Sequence, residues 1–250
     1  MFISKDFIFN GETNEQHGVW LVTFDNDILL KSGNTWSRTI RDESSSVYNP
    51  MYLEEKEETE EVTLNLISID ENGVLTPWTD DKIKNVTDWL ICNDFAPFIS
   101  NDNPDYTYYF LCTKIERKFT ANKLGVLEVT FRPFSNYAYK KVVSVITVNN
   151  ETKNIIINNP SNMIYKPIVE ITNKGVITTI NKVDSFEITG LVYDETAIVD
   201  NLMLTVLNSN GENKFDKCNR GWIELIPGNN TITISGQCSV KIVCEYPYVM

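Results

Sequence analysis

The stretch TPWTDDKIKNVTDWL, from Thr76 to Leu90, contains the clearest secondary-structure signal in the chain. The Thr79 hydroxyl can accept hydrogen bonds from the first free backbone N–H groups of a helix, and Asp80 and Asp81 then lie at the positive end of the helix dipole. The apolar residues that recur at helical spacing are Ile83, Val86, Trp89 and Leu90. The pattern predicts one short helix, from about residue 80 to residue 92, with a buried apolar face.

Two strands are predicted after this helix. The segment from Tyr106 to Thr113 is rich in aromatic residues, and the segment from Gly125 to Arg132 alternates apolar with polar residues. Alternation with a period of two is typical of a strand with one face buried. The residues expected in the core of this first domain are Trp78, Trp89, Leu90 and Phe131.

The chain after Lys140 consists of short β-prone segments separated by turn residues. The predicted strands are Val142–Val148, Ile155–Ile157, Ile168–Thr172, Val176–Ile180, Phe186–Thr189, Leu202–Val206, Trp222–Ile226, Ile232–Ile234 and Val240–Cys244. Turn-forming Asn, Gly and Pro residues lie between them, as at Asn149-Asn150 and Asn173-Lys174-Gly175. Many short strands with tight turns predict a β-sandwich, in which Trp222 heads an apolar strand and belongs to the core.

Length and composition indicate a mainly β protein of two domains. The chain has 250 residues, of which 42% are hydrophobic and 11% aromatic, and it is rich in Val, Ile, Thr and Asn. The predicted domains span residues 1–139, with one short α-helix, and residues 140–250. Both are expected to be β-sandwich-type domains.

The charge of the chain argues against stable nucleic-acid binding. The formal net charge is −12, whereas a protein that grips phosphate needs clustered Lys or Arg. An acidic bias would suit a channel through which DNA slides, but it also serves solubility alone. The segment from Asp42 to Glu61 alone has eight acidic residues against one Lys.

This acidic segment surrounds an apolar group of residues. It is either a solvated surface loop or a loop that reaches out to a neighbouring subunit. The aromatic run at the end of the first domain is either domain core or a second part of such an interface. The candidate interface residues are Val47, Tyr48, Pro50, Met51, Tyr52, Leu53, Phe134 and Tyr137.

Catalytic and metal-binding signals are weak. His17 is the sole histidine and lies in a polar segment beside Gly18, and no nucleophile elbow, phosphate-binding loop or dinucleotide fingerprint is present. The five cysteines lack C-x-x-C spacing and are expected to be buried in a reducing compartment. We therefore expect no cofactor, no metal and no enzyme activity. We also expect no membrane insertion and folding in a cytosol, because no signal peptide or apolar run of spanning length is seen.

Several pieces of the chain resemble, in order and spacing, the distal tail protein (Dit) family of long-tailed bacteriophages. They are FIFNG from Phe7, the WTDD…WL helix, FLCT from Phe110, LGVLEVTFRPFSNYAY from Leu124 and GWIELIPGNNTITISG from Gly221. The resemblance implies a structural baseplate-hub protein that forms a homohexameric ring at the virion tail tip. It implies a galectin-like, jelly-roll second domain. The implied partners are the major tail tube protein and a tail-associated, fibre or receptor-binding protein.

A carbohydrate-binding module that recognises host cell-wall polysaccharide is the alternative function. Exposed rings on a β-sandwich can stack on a sugar, and the second domain contains Tyr193, Trp222, Tyr246 and Tyr248. The same domain has no histidine among the polar residues that galectin-like sugar sites use, and this favours a fold without lectin activity.

Overall fold

The structure is a computed structural model that describes residues 4–22, 35–41, 51–58 and 61–249; for residues 35–41 and 51–58 only the backbone is described. The chain divides into two compact units, the first ending at Ala138 and the second spanning Tyr139–Tyr248. Each unit has its own core of buried side chains. The described chain is mainly β with one α-helix, as the sequence predicted.

The described residues of the first unit form nine strands and the helix. In chain order they are β1 (Phe7–Phe9), β2 (Glu12–Thr13), β3 (Val19–Val22), β4 (Thr35–Arg41), β5 (Met51–Glu58), β6 (Val62–Ser68), α1 (Asp80–Leu90), β7 (Ala96–Ser100), β8 (Tyr106–Phe119) and β9 (Gly125–Pro133). Seven of these strands form one antiparallel sheet in the order β3-β6-β9-β8-β7-β1-β2. The Leu21 amide donates to the Lys5 carbonyl at 3.1 Å, so the two sides of the sheet approach each other and the sheet curls around its core.

Helix α1 begins where the sequence predicted. The Thr79 side chain accepts a hydrogen bond from the Lys82 amide at 3.2 Å and thereby caps the first turn. The helix ends at Leu90, two residues before the predicted end, because Ile91 has an extended backbone and is 59% exposed. Its buried face packs on β1, where the Trp89 indole N–H donates to the Phe9 carbonyl at 3.0 Å.

The second unit is built from seven strands. They are β10 (Tyr137–Asn159), which begins at the end of the first unit, β11 (Ile168–Asn173), β12 (Asn181–Val183), β13 (Phe186–Ile188), β14 (Thr196–Asp200), β15 (Thr205–Asn208) and β16 (Gly228–Val249). Strands β15, β14 and β11 pair in order with the C-terminal half of β16. Strands β13 and β12 pair in order with its N-terminal half, at Ile234 and Ser235.

Strand β16 therefore pairs with two separate sets of strands. Its alternate residues are buried along nearly the whole strand, and they are Ile232, Ile234, Cys238, Val240, Ile242, Cys244 and Tyr246. Gly236 has a φ of +115° at the corner, where a Cβ atom would lie 2.7 Å from the Ile180 carbonyl oxygen. Glycine is required at this corner because the neighbouring chain fills the space that a side chain would need.

Several predictions for this unit are wrong. Asn149-Asn150 is not a turn between two strands, because β10 continues through Asn150 with a local left-handed φ of 53°. Val176–Ile180 is an exposed loop. The predicted strand Leu202–Val206 begins as an exposed turn, and β15 starts only at Thr205. Trp222–Ile226 is not a strand either; it makes one isolated bridge, between Leu225 and Tyr165. Local β propensity could not identify these segments, because strand formation depends on the neighbouring strands as much as on composition.

Candidate assembly surfaces

Residues 51–58 of the predicted interface loop form a strand of a hairpin and not a loop. Strands β4 and β5 pair with each other in antiparallel register, and within the described chain neither pairs with any other strand. Of the predicted interface residues, Met51 and Tyr52 pair with Arg41 and Ile40, and Leu53 falls at a register shift. Val47, Tyr48 and Pro50 lie outside the described residues. A hairpin with no described strand partner is available to pair or pack with another chain.

The aromatic residues from Phe131 to Tyr137, at the end of β9 and just after it, are divided between core and surface. Phe131 is 1% exposed, whereas Phe134 is 60% exposed and packs edge-to-face on Phe95 with ring centroids 5.3 Å apart. Tyr137 is half-buried. Phe134 is therefore the member of this run that offers a large apolar surface to a partner.

The residues predicted for the core lie in two environments. Trp78, Trp89, Leu90 and Phe131 are buried in the first core. Trp222 is half-buried beside the second core, with its ring 6.1 Å from both Phe186 and Phe215. It does not head an apolar strand, and Ile226 of the same segment is 57% exposed.

The sole histidine lies in a small polar contact beside the helix. His17 stacks on Trp89 with centroids 4.1 Å apart, and its Nε2 lies 2.8 Å from the Glu12 carboxylate. No group of three or more His, Cys, Asp or Glu side chains among the described residues could hold a metal ion. All five cysteines are free thiols; Cys238 and Cys244 are buried as predicted, whereas the other three are only partly buried. Within the same residues, no helix is long and apolar enough to cross a membrane.

The second unit exposes an apolar surface where two loops meet. The β11–β12 loop and the β13–β14 loop are joined by a hydrogen bond from the Gly190 amide to the Ile177 carbonyl. The exposed side chains, called here the loop patch, are Val176 (70% exposed), Ile177 (53%), Ile180 (60%), Val192 (53%) and Tyr193 (69%). Large apolar surfaces of this kind on soluble proteins mark interaction sites.

A buried asparagine holds the two loops of the patch together. Asn173 is 1% exposed, and its Nδ2 donates to the carbonyls of Gly175 at 3.1 Å and Leu191 at 2.7 Å. Its Oδ1 accepts from the Gly175 amide at 3.1 Å and from Asn181 Nδ2 at 3.0 Å. Each loop is thus fixed by the same side chain, so the loop patch is a preorganised surface.

Two family descriptions match the chain. Residues 2–133 match "Phage tail protein N-terminal domain", and residues 137–244 match "Phage tail C-terminal domain". The chain belongs to this family of phage tail proteins. A curated relative, the SPbeta prophage-derived uncharacterized protein YomH of Bacillus subtilis strain 168, is 25% identical over an alignment of 260 positions that covers 98% of each chain.

Solved structures show which fold this tail protein has. The crystal structure of the SPP1 Dit protein, described as a hub adsorption apparatus of phages that infect Gram-positive bacteria, has a TM-score of 0.63 at 13% identity. The match covers 97% of this chain and 98% of SPP1 Dit. A chain of the phage p2 baseplate with Sr has a TM-score of 0.54 at 10% identity, covering 95% and 97%. The tail protein is therefore Dit-like in fold along nearly its whole length.

The loop patch is the surface of this tail protein that sequence reasoning missed. The sequence Val176-Ile177-Thr178-Thr179-Ile180 has the composition of a strand and was predicted as one. A local signal for a loop exists, because Gly175 precedes the segment and its apolar residues do not alternate strictly. These residues are exposed because Asn173, supported by Asn181, fixes the loop. Both asparagines come before the β13–β14 loop in the sequence, Asn173 at the end of β11 and Asn181 at the start of β12.

A largely buried carboxylate supports the same loops. Glu195 accepts hydrogen bonds from the Val192 amide at 3.0 Å, from Asn208 Nδ2 at 3.0 Å and from Lys214 Nζ at 2.9 Å. The Glu195 side chain is 13% exposed. The hydrogen bonds from Asn208 and Lys214 hold the pKa of the Glu195 carboxyl below its ordinary value of 4.5.

We expect Glu195→Gln to lower the stability of the second unit by about 1–3 kcal/mol at neutral pH, because charge-assisted hydrogen bonds are lost. A lowered folded-state pKa means that ionised Glu195 stabilises the protein fully above pH 4.5, and that this contribution disappears as the pH falls through the folded-state pKa. The difference in unfolding free energy between wild type and variant should therefore shrink in acid. Urea unfolding at several pH values measures it.

The matched control is Glu151→Gln, since the Glu151 side chain is 49% exposed and its partner Lys153 is also at the surface. This variant should differ from wild type by less than about 1 kcal/mol. A Glu195→Gln variant as stable as the Glu151→Gln variant at neutral pH would contradict the role given to Glu195.

Proposed function

We propose that this tail protein is a distal tail, baseplate-hub adaptor that forms a homohexameric ring between the tail tube and the tail-tip apparatus. The observation that carries the proposal is the Dit-like fold over 97% of the chain, together with the two phage tail family matches. In this proposal the protein is a virion component whose mechanism is assembly, with no catalytic step. The ring takes part in host attachment and DNA passage.

The β4–β5 hairpin supports ring formation. Head-to-tail contacts close into a ring when each subunit presents one surface to a different surface of the next. A hairpin without a described strand partner, with the apolar residue types Met51, Tyr52 and Leu53 at the start of β5, supplies such a surface. Exposed Phe134 supplies a second candidate contact on the same unit.

The charge distribution supports a DNA passage lined by the first unit. Residues 139–248 contain ten Lys and Arg against eleven Asp and Glu, so almost all of the net −12 lies in the first unit. An acidic wall repels phosphate, and DNA could slide past it without stable binding. In the proposed ring the first units stack on the major tail tube protein. The second units, with the galectin-like domain type, carry the fibre or receptor-binding protein.

Light scattering of the purified full chain over a concentration series, with negative-stain images of the same fractions, tests the ring. We expect a mass of six chains and particles with a central hole. A strict monomer at every concentration, also in the presence of purified tail tube protein, would contradict the proposal.

Deletion of residues 47–53 should abolish the ring and leave a folded monomer. The deletion removes the predicted interface residues from Val47 to Leu53 but no residue of either described core. Circular dichroism checks folding, and light scattering gives the mass. The control exchanges Glu54, Glu55, Glu57 and Glu58 for Gln; because it keeps the apolar residues, it should keep the oligomer. A deletion variant that still forms the native oligomer would exclude residues 47–53 as the contact.

A further inference from the structure

One arginine of the second unit has no acidic partner among the described residues. Each of the seven lysines among residues 150–248 lies 3.6 Å or less from a carboxylate oxygen. Arg220 is the sole arginine among residues 139–248, and its guanidinium makes no ion pair or hydrogen bond with the described part of the chain. Its N–H donors are therefore available to another molecule.

The Arg220 guanidinium lies on an aromatic surface. Its central carbon is 4.5 Å from the centroid of the Phe215 ring, a distance at which a cation is attracted to the face of a ring. The Trp222 ring is 6.1 Å from the Phe215 ring, and both are half-buried, whereas Arg220 is exposed. Phe215, Arg220 and Trp222 are called here the arginine site. Arginine and aromatic side chains are the residue types that carry most of the binding energy at protein interfaces.

The backbone holds Arg220 in an unusual conformation. Its φ of 62° is left-handed, a region that residues other than Gly, Asn and Asp rarely adopt. The neighbouring Asn219 fixes this conformation, because its Oδ1 accepts from the Gly221 amide at 3.0 Å and its Nδ2 donates to the Ser185 carbonyl at 2.9 Å. The Ser185 hydroxyl donates in turn to the Gly221 carbonyl at 3.1 Å. Strained residues fixed in this way cluster at binding sites, and the fixed backbone presents the guanidinium without a further ordering cost.

The charges near the arginine site favour a single carboxylate over a polyanion. A guanidinium with one face on a ring can still donate two parallel hydrogen bonds from its edge to a carboxylate. A nucleic acid or an anionic wall polymer would need several unpaired cations, but Lys214 and Lys217 of the same segment are paired with acidic side chains. A protein that presents one Asp or Glu beside an apolar side chain fits both the charge and the two rings.

We propose that the arginine site binds the tail-tip protein that the second unit carries, with an Asp or Glu of that protein paired to Arg220 and an apolar side chain packed on Phe215 and Trp222. The inference rests on the proposed function, which gives the second unit a fibre or receptor-binding protein as its partner. The site selects its partner by charge, because a protein without the acidic group would bury the guanidinium unpaired.

Biolayer interferometry between the full-length chain and the purified fibre or receptor-binding protein of the same phage tests the proposal. We expect Arg220→Gln to weaken the affinity by about 30-fold or more, because it leaves the carboxylate of the partner buried without its charged donor. Arg220→Lys should recover part of the affinity, since an ammonium keeps the charge but lacks the planar pair of donors.

Arg220→Gly separates binding from folding. Glycine adopts the left-handed conformation without strain, so this variant should keep or raise the midpoint of thermal unfolding. It should lose as much affinity as Arg220→Gln. An arginine with a merely structural role would lower the unfolding midpoint when replaced and would leave the affinity of the folded protein unchanged, which would overturn the proposal.

The matched control is Lys153→Gln, which removes the same charge from a lysine of β10 that is paired with Glu151. It should bind like the wild type. Equal affinities of the wild type and Arg220→Gln would overturn the proposal, as would a wild type that does not bind the tail-tip protein. The proposed ring is judged separately, because light scattering of the same sample gives six chains with the ring and one without it.

A charge reversal identifies the acidic group. Arg220→Glu should abolish binding, and replacement of one Asp or Glu of the tail-tip protein by Arg should restore it. If no such replacement restores binding, Arg220 is not paired with a carboxylate of that protein. Binding of purified cell-wall polysaccharide that Arg220→Gln abolishes, with binding of the tail-tip protein unchanged, would overturn the proposal in favour of an anionic sugar site.

Discussion

Trp89→Ala is expected to destabilise the first unit by about 3–5 kcal/mol, the usual cost of truncating a large buried aromatic side chain. Trp89 is 7% exposed and packs against Phe7 and His17, with centroid distances of 5.7 Å and 4.1 Å. Its indole N–H also satisfies the Phe9 carbonyl. The substitution thus leaves both a cavity and an unpaired acceptor between α1 and β1.

Hydrogen exchange followed by mass spectrometry measures this effect, because it reports on the two units separately and does not require the whole chain to unfold in one step. We expect faster exchange in β1, β7 and α1 and unchanged exchange in β11 and β14. The control is Phe134→Ala, which truncates an aromatic residue of the same unit that is 60% exposed, at a cost below about 1 kcal/mol. Equal effects of the two variants would show that Trp89 is not an anchor of the core.

Asn173→Ala should cost the second unit about 3 kcal/mol, although it removes a small polar side chain. The substitution removes the Asn173 side chain that pairs with the Leu191 carbonyl and the Asn181 side-chain amide. Each buried polar group left without a partner costs about 1–3 kcal/mol. Both loops of the patch lose their common attachment. Exchange should accelerate in residues 174–180 and 190–195 first.

The matched control for Asn173→Ala is Asn162→Ala, because Asn162 is exposed in a loop of the same unit. It should change stability by less than about 0.5 kcal/mol. Asn173→Asp separates the two kinds of hydrogen bond made by this side chain. It keeps an oxygen that can accept from Gly175 and Asn181, and it removes the amide that donates to Gly175 and Leu191. If Asn173→Ala is as stable as Asn162→Ala and exchanges no faster, the asparagine does not organise the loops.

Local pattern was sufficient for the helix and for the alternating strands. The Thr79 cap and the apolar spacing of α1 are properties of a few consecutive residues, and so is the alternation of Leu127, Val129 and Phe131 in β9. Strand β16 was less predictable: the sequence predicts Ile232–Ile234 and Val240–Cys244 as separate strands, whereas β16 is continuous from Gly228 to Val249. Val176–Ile180 and Trp222–Ile226 have strand-like composition, but the first forms a turn and the second is bound by buried asparagine side chains from other segments.

The sequence by itself determined that this protein is mainly β, has one capped helix, and keeps its acidic charge in the first half, because propensity, periodicity and net charge are local or additive quantities. Only the tertiary structure decided which apolar residues are exposed. The loop patch exists because Asn173 joins two loops, with hydrogen bonds that reach residues 18 and 19 positions away from it. Such a contact forms only when segments distant in sequence pack together in the folded chain, and no local sequence pattern predicts it.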